Sequence, residues 1–166
     1  SQPLGFLTTD GLGLTRVNGG LVRTRIDGGA TQTGDQNYND SVLVANALNA
    51  TGDTTFDGEN LFFNNAVAAL DAMPNTIADP TLGENVNLVA DTSITFAGDM
   101  GSGNDGDHFI EDAVFTAPII ETQGVFTVGS QAYSFATKQV AMADKTTDGG
   151  DLVFNGLGTG QLVLMD

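Results

Sequence analysis

The sequence predicts an all-β protein, a β-solenoid of the parallel β-helix kind built from short strand-and-turn repeats, with a β-sandwich or jelly roll as the alternative. Three observations predict it. Glycine is abundant at 22 residues and proline rare at 4, and Asn, Asp and Thr are frequent; these are turn and strand residues rather than helix formers. The apolar residues come in short bursts of Val, Leu, Ala and Phe separated by turn formers, the spacing of many short strands. Similar strand-and-turn segments recur along the chain, which is the mark of a repeat architecture. With 166 residues and 40% hydrophobic content there is enough apolar material for a real core, and one domain spanning residues 1–166 is expected.

The elements follow in order. The opening SQPLGF reads as a mature end after removal of a targeting segment, or as an arbitrary boundary. Leu4-Gly5-Phe6-Leu7 is an apolar run, and residues 1–12 are expected to form a strand exchanged between subunits. TRVNGGLVRT (Thr15 to Thr24) and TRIDGGATQT (Thr24 to Thr33) share Thr-Arg, a β-branched residue, Asn or Asp, Gly-Gly and a closing Thr. Each reads as a strand, an Asn-Gly or Asp-Gly tight turn and a second strand, because these residues tolerate positive φ. GDQNYND (Gly34 to Asp40) and GSQAYSF (Gly129 to Phe135) share Gly-x-Gln-x-Tyr and hold both tyrosines of the protein. That pattern is read as architecture: the Gly turns, the Tyr lies in a strand with its polar tip satisfied, and the Gln bonds backbone or stacks in a ladder.

A longer unit recurs as VLVANALNATGDTTFDG (Val42 to Gly58), VNLVADTSITFAG (Val86 to Gly98) and VAMADKTTDGGDLVFNG (Val140 to Gly156), each ending on a β-former, Phe, any residue and Gly. Leu61-Phe62-Phe63-Asn64-Asn65 is a degraded fourth end. Asn64 to Asn75 predicts the one short helix, capped by Asn and stopped by Pro74, with a strand and loop as the alternative. Met73 to Glu84 reads as a surface loop and Asp99 to Asp107 as a Gly-Asp loop. His108 to Ile120 reads as one or two strands, and QLVLMD as a closing strand.

Charge and composition exclude several classes of function. There is no cysteine, hence no disulfide or thiolate metal site. No apolar run is long enough to span a bilayer, so membrane insertion is not expected. Five basic residues face 21 acidic ones for a net charge of −16, which leaves no basic patch for nucleic acid. The acidity suits a protein soluble in salt, in a secreted, extracellular or cell-surface location. Arg16, Arg23 and Arg25 stand in the first 25 residues against Asp10 alone. They are either solvated or a weakly positive end that docks on the acidic surface of a neighbouring copy.

Catalytic chemistry finds little support. His108 is the one histidine, so a paired-histidine metal site is impossible, and no Gly-x-Ser-x-Gly elbow is present. Asp99, Asn104, Asp105, Asp107, Glu111 and Asp112 supply oxygens of the kind calcium takes, or form a solvated acidic loop. Their spacing fits neither an EF-hand nor a tandem calcium repeat. Residues 26–137 contain no Lys or Arg, which argues against an enzyme that acts on acidic polysaccharides. No enzyme is expected, and no cofactor beyond that calcium.

The assembled pattern resembles the repeats of filamentous-haemagglutinin-like large secreted bacterial exoproteins and adhesins. The matching stretches are Leu7-Thr8-Thr9-Asp10, Arg16-Val17-Asn18-Gly19-Gly20, Thr33-Gly34-Asp35-Gln36-Asn37-Tyr38-Asn39-Asp40-Ser41-Val42 and Thr55-Phe56-Asp57-Gly58. Order and spacing match over residues 7–58 and in part over 83–98 and 124–156. The resemblance implies a right-handed parallel β-helix in a surface-exposed or secreted protein, and it carries no catalytic residues. Together these features predict a non-enzymatic extracellular structural subunit that self-assembles head to tail into a filament or adhesive surface fibre. Its expected partners are copies of itself, through Leu4, Phe6, Leu7, Arg16, Arg23, Arg25, Leu162 and Leu164. The alternative is a surface adhesin or binding module for a cell-surface glycan or protein, assisted by calcium.

Overall fold

Short apolar bursts bounded by Gly, Asn and Asp do form strands. The computed structural model describes residues 4–17, 20–24, 34–45, 53–70, 84–101, 110–127, 129–141, 145–147 and 150–164, and every regular element among them is β. The strands are β1 (Leu7–Thr8), β2 (Leu14–Val17), β3 (Gly20–Arg23), β4 (Gln36–Tyr38), β5 (Ser41–Ala45), β6 (Thr54–Phe63) and β7 (Val67–Leu70). They continue with β8 (Glu84–Phe96), β9 (Ile110–Thr122), β10 (Val125–Thr127), β11 (Gln131–Ala141), β12 (Lys145–Thr147), β13 (Leu152–Gly156) and β14 (Gln161–Leu164).

All strand pairings among the described residues are parallel. A nine-stranded sheet runs β1-β4-β6-β8-β9-β11-β13, with β3 beside β6 and β14 beside β11. A three-stranded sheet runs β2-β5-β7 and a two-stranded sheet pairs β10 with β12. Met100 bridges Val67 and Val125 and so joins the two smaller sheets into one row.

Register resolves the large sheet into two columns. Residues 54–57 of β6 pair with β3 and with 86–89 of β8, whereas residues 61–63 pair with β4 and with 94–96. The register shifts between these halves, at Gly58/Asn60, Val89/Ser93 and Phe135/Lys138, where a long strand leaves one column and enters the other. We call column A the stack β1, β4, 60–63, 93–96, 119–122, 138–141 and β14. Column B is β2, β5, β7, Met100, β10 and β12. Column C is β3, 54–57, 86–89, 113–116, 131–135 and β13. The chain visits A, B and C in that order again and again, and each strand finds its partner one circuit away.

Alternation along each strand sends every second side chain inward. The inner positions of successive circuits form rows. One runs Val22, Phe56, Leu88, Phe115, Tyr133, Phe154 in column C, and another Gln36, Leu61, Ile94, Ile120 in column A. Aromatic rings stack along them, Tyr38 on Phe63 at 4.9 Å and Phe63 on Phe96 at 4.5 Å, and Phe115 on Tyr133 at 4.6 Å and Tyr133 on Phe154 at 5.0 Å. Offset ring contacts of this kind add about 0.5–1.5 kcal/mol each beyond the area buried.

One expectation needs correction. The predicted helix at Asn64 to Asn75 is a strand over its described part, β7, with residues 71–75 outside the described residues. The capping asparagines are engaged elsewhere. Asn64 Nδ2 donates to the side chains of Asn37 and Asn39, and Asn65 Nδ2 to the Asn39 carbonyl, while Val67 N–H donates to Asp99 O in the next circuit. The Phe-x-Gly units, alike in sequence, do not share one column: Phe56 and Phe154 lie in column C and Phe96 in column A. The second Thr-Arg unit, residues 25–33, lies outside the described residues, as do most of the two predicted loops.

The hydroxyls of Thr54 and Thr122 are buried with no hydrogen-bond partner among the described residues. A desolvated, unbonded hydroxyl costs about 1 kcal/mol or more. Thr54→Val and Thr122→Val are therefore expected to raise stability by about 1 kcal/mol each, read as a higher denaturant midpoint at unchanged slope.

Candidate functional site

The recurring Gly-x-Gln-x-Tyr is a corner brace. Gln36 and Gln131 are fully buried, each two residues before a buried tyrosine whose hydroxyl donates to the amide oxygen, at 2.8 Å for Tyr38 and 2.9 Å for Tyr133. The amide nitrogen then reaches the column that the chain has just left. Gln36 Nε2 donates to Val22 O and Asp57 O, carbonyls of column C in two successive circuits, both at 3.0 Å. Gln131 Nε2 donates to Val125 O at 3.0 Å and Thr146 O at 2.8 Å, carbonyls of column B in two successive circuits. A threonine completes the module: Thr24 Oγ1 donates to Gly34 O and Thr127 Oγ1 to Gly129 O. The third corner of this kind, Thr147 with Gly150, keeps the threonine bond but carries Leu152 and Phe154 where the others have Gln and Tyr. Architecture, as expected from the sequence, is what both copies perform; the threonine, ten residues before its Gly in one copy and two in the other, has no fixed spacing by which the sequence would show it.

Two of the acidic side chains proposed for calcium, Asp99 and Asp112, hold backbone. Asp99 Oδ1 accepts from Gly124 N–H at 3.0 Å, ahead of column B. Asp112 Oδ1 accepts from Ser130 N–H at 2.6 Å, within a polar chain Asp53, Asn85, Asp112, Ser130, Asp151 that climbs the edge of column C. The structure thus places Asp99 and Asp112 at different corners. Asn104, Asp105, Asp107 and His108 lie outside the described residues, and among the described residues no three His, Asp or Glu side chains stand together to hold a metal. Glycine keeps one corner close: a Cβ on Gly150 would run into the backbone of Gly129 one circuit below.

The described residues expected at an assembly contact lie near the two ends of the columns. Among the described residues, β1, β2 and β3 are paired on one side only, with β4, β5 and β6, and β12, β13 and β14 on one side only, with β10 and β11. Inner rows that are buried along their length emerge there. Thr54, Val86, Ala113 and Gln131 are fully buried, yet Leu152, next in that row, is 41% exposed. Leu162 stands at the end of its row at 42%. Leu4 and Phe6 are exposed, whereas Leu7 packs against the chain's own core and β1 pairs with its own β4. Arg16 points to solvent. Arg23 donates from Nε to Asp57 Oδ2 at 2.8 Å, one circuit on, so it is engaged within the chain. Arg25 lies outside the described residues, as does the Leu164 side chain. Sequence reading missed Leu12, Leu14, Leu21, Leu152, Val153 and Leu157, all exposed near the ends. Of these, Leu152 and Val153 were visible only as part of a β-forming repeat.

Burial raises the Tyr38 hydroxyl, with a further push from the nearby Asp40 carboxylate, and burial alone raises that of Tyr133. An unfolded tyrosine ionises near pH 10, so both contribute stability below about pH 10 that is lost as pH climbs towards their raised values. With two tyrosines and no tryptophan, phenolate absorbance reads these groups alone. It is expected to rise in one step, together with loss of the β circular dichroism signal, rather than at the pH of free tyrosine. Removing one partner of the Gln-Tyr pair leaves buried polar atoms unbonded. Gln131→Leu and Tyr133→Phe should each cost about 1–3 kcal/mol, and the double variant, which restores the Leu/Phe pair found at residues 152 and 154, less than their sum. Comparison of the chain with protein-family models, with curated proteins and with solved structures finds no match.

Proposed function

We propose that the chain is a β-solenoid, its three strand columns forming the faces of one winding, and that it serves as a non-enzymatic structural subunit of an extracellular filament or adhesive surface fibre. Copies join end to end. One observation carries this: inner rows that are buried from Thr54 to Gln131 and from Gln36 to Ile120 surface at the last circuit as the exposed Leu152 and Leu162, beside strand edges paired on one side only among the described residues. Open parallel edges recruit further strands, and a head-to-tail contact that does not close on itself makes a fibre. The acidic charge and the likeness of residues 7–58 to repeats of secreted exoproteins support the extracellular setting.

A second reading rests on the outward rows of column C. Leu21, Thr55, Asn87, Val114, Ala132 and Val153 form one such row, and none of them is charged in a chain of net charge −16. An uncharged outward row of this kind suits a surface adhesin that binds a glycan or protein, with or without calcium.

Electron microscopy and light scattering of the purified chain over a concentration series separate the two. Filaments above a threshold concentration are expected. Leu162→Ala, which removes part of an exposed end row, should raise that threshold about tenfold with β content unchanged. A chain that stays monomeric at every concentration, and binds a glycan array in a manner sensitive or insensitive to chelator, would put the adhesin reading first.

A further inference from the structure

The acidic side chains keep off the outward face of column C. That face presents two rows. One is the uncharged row from Leu21 to Val153 named above; the other runs Arg23, Asp57, Val89, Thr116, Ser134, Asn155. The two charges in the second row hold each other, Arg23 Nε to Asp57 Oδ2 at 2.8 Å. From 86–89 through 113–116 and 131–134 to 152–155, both rows consist of Asn, Val, Thr, Ala and Ser alone. Acids stand at the margins instead. Asp53, Asp112 and Asp151 belong to the polar chain along one edge. Glu59 and Asp91 lie in the breaks between columns C and A along the other, where Thr92 Oγ1 donates to Glu59 at 2.6 Å. The other columns differ among the described residues. Column A turns Glu121 and Lys138 outward, 3.9 Å apart, and column B narrows to Met100 and carries Arg16 in its outward row.

We propose that a second copy of this chain packs side by side on this face, column C against column C about a two-fold axis. Three properties select another copy as the occupant. The first is charge. At −16 per chain, a contact that takes in the margins brings carboxylates together, and the buried centre of an interface excludes charge because desolvating it is costly. The second is spacing. The rows repeat at every strand, about 4.8 Å apart, and side chains of one parallel stack fit between those of another where both share that repeat. A second copy shares it. The third is hydrogen bonding. The amides of Asn87 and Asn155 and the hydroxyls of Thr116 and Ser134 each carry donor and acceptor, so each pairs with its own kind across a two-fold. A glycan is less suited, because ligand sites are concave and lined by aromatic groups, and neither row holds an aromatic side chain.

The size of the face sets the strength of the contact. Six circuits at that spacing, with four residues of about 3.3 Å each, make roughly 400 Å² per copy. A total of roughly 800 Å² stands at the weak end of specific contacts. The pair therefore forms at high protein concentration, and its acidic margins repel unless salt screens them. The contact does not depend on end-to-end joining. A two-fold pair uses up both faces and stops at two copies, whereas end joining goes on growing.

Sedimentation equilibrium of the chain over a wide concentration range, in low salt and in about 1 M salt, tests this. A passage from monomer to dimer is expected, with the dissociation constant falling about tenfold between the two salts. Val114→Asp and Thr116→Asp, at exposed outward positions, should each raise that constant about tenfold or more, with the β circular dichroism signal unchanged. Thr146→Asp adds the same charge on column B and should leave it within about twofold. Where filaments form first, electron microscopy reads the same variants: filaments in side-by-side pairs for the unmodified chain and Thr146→Asp, single filaments for Val114→Asp. Equal weakening by Thr146→Asp, or pairing that weakens as salt rises, overturns the proposal. So does an unmodified chain that gives neither dimers nor paired filaments at any concentration; single filaments in that case leave end-to-end joining standing. Loss of neutral-glycan binding by Val114→Asp with self-association unmoved gives the face to the adhesin reading and likewise overturns it.

Discussion

Each strand of this protein completes its hydrogen bonds with a strand one circuit away in the chain. All the pairings among the described residues are parallel, and each ladder joins strands one circuit apart, even where the two are consecutive in the chain, as β8 and β9 are. Even β2 and β3, with only Asn18 and Gly19 between them in the sequence, pair with β5 and β6 rather than with each other. The rest of the architecture answers to this. Inner side chains must stack on those of the circuits above and below, which favours flat rings and β-branched residues in continuous rows. Corners must let two circuits approach within a strand spacing, which is why a Cβ at Gly58 would lie 2.7 Å from the Gly34 carbonyl.

A buried backbone group at a corner has no strand partner, and leaving it unbonded costs more than a typical hydrogen bond contributes. The chain answers with side chains. The Gln-Tyr brace spans two circuits with one amide, and Asp40 is buried with Thr9 and Thr15 donating to it. Asp99 and Asp112 accept from backbone N–H groups of the next circuit. Much of the acidity that gives the chain its charge is therefore structural in position. The Arg23–Asp57 pair is 40% exposed on the arginine side, where solvent screening keeps an ion pair to a modest contribution.

A stack that satisfies itself only through its neighbours is unsatisfied at its ends. Exposed large apolar side chains gather there: Leu4, Phe6, Leu12, Leu14 and Leu21 at one end, Leu152, Val153, Leu157 and Leu162 at the other. The proposed fibre extends to contacts between copies the same pairing that holds each circuit to the next.

Much of this was legible in the sequence. Glycine, Asn and Asp marked the corners, the apolar bursts marked strands, and the repeated Gly-x-Gln-x-Tyr announced an architectural part, since turn chemistry and alternation are local properties of a few residues. What the sequence left open was decided by contacts between circuits. Val67–Leu70 became a strand because parallel neighbours took its backbone and other residues took its capping asparagines. The Phe-x-Gly units, alike in sequence, fell in different columns because column is set by how much chain lies between corners. The end surface shows the same division. Leu162 and Leu152 read as ordinary core residues of a strand, and only the place of their circuit at the edge of the stack leaves them facing water.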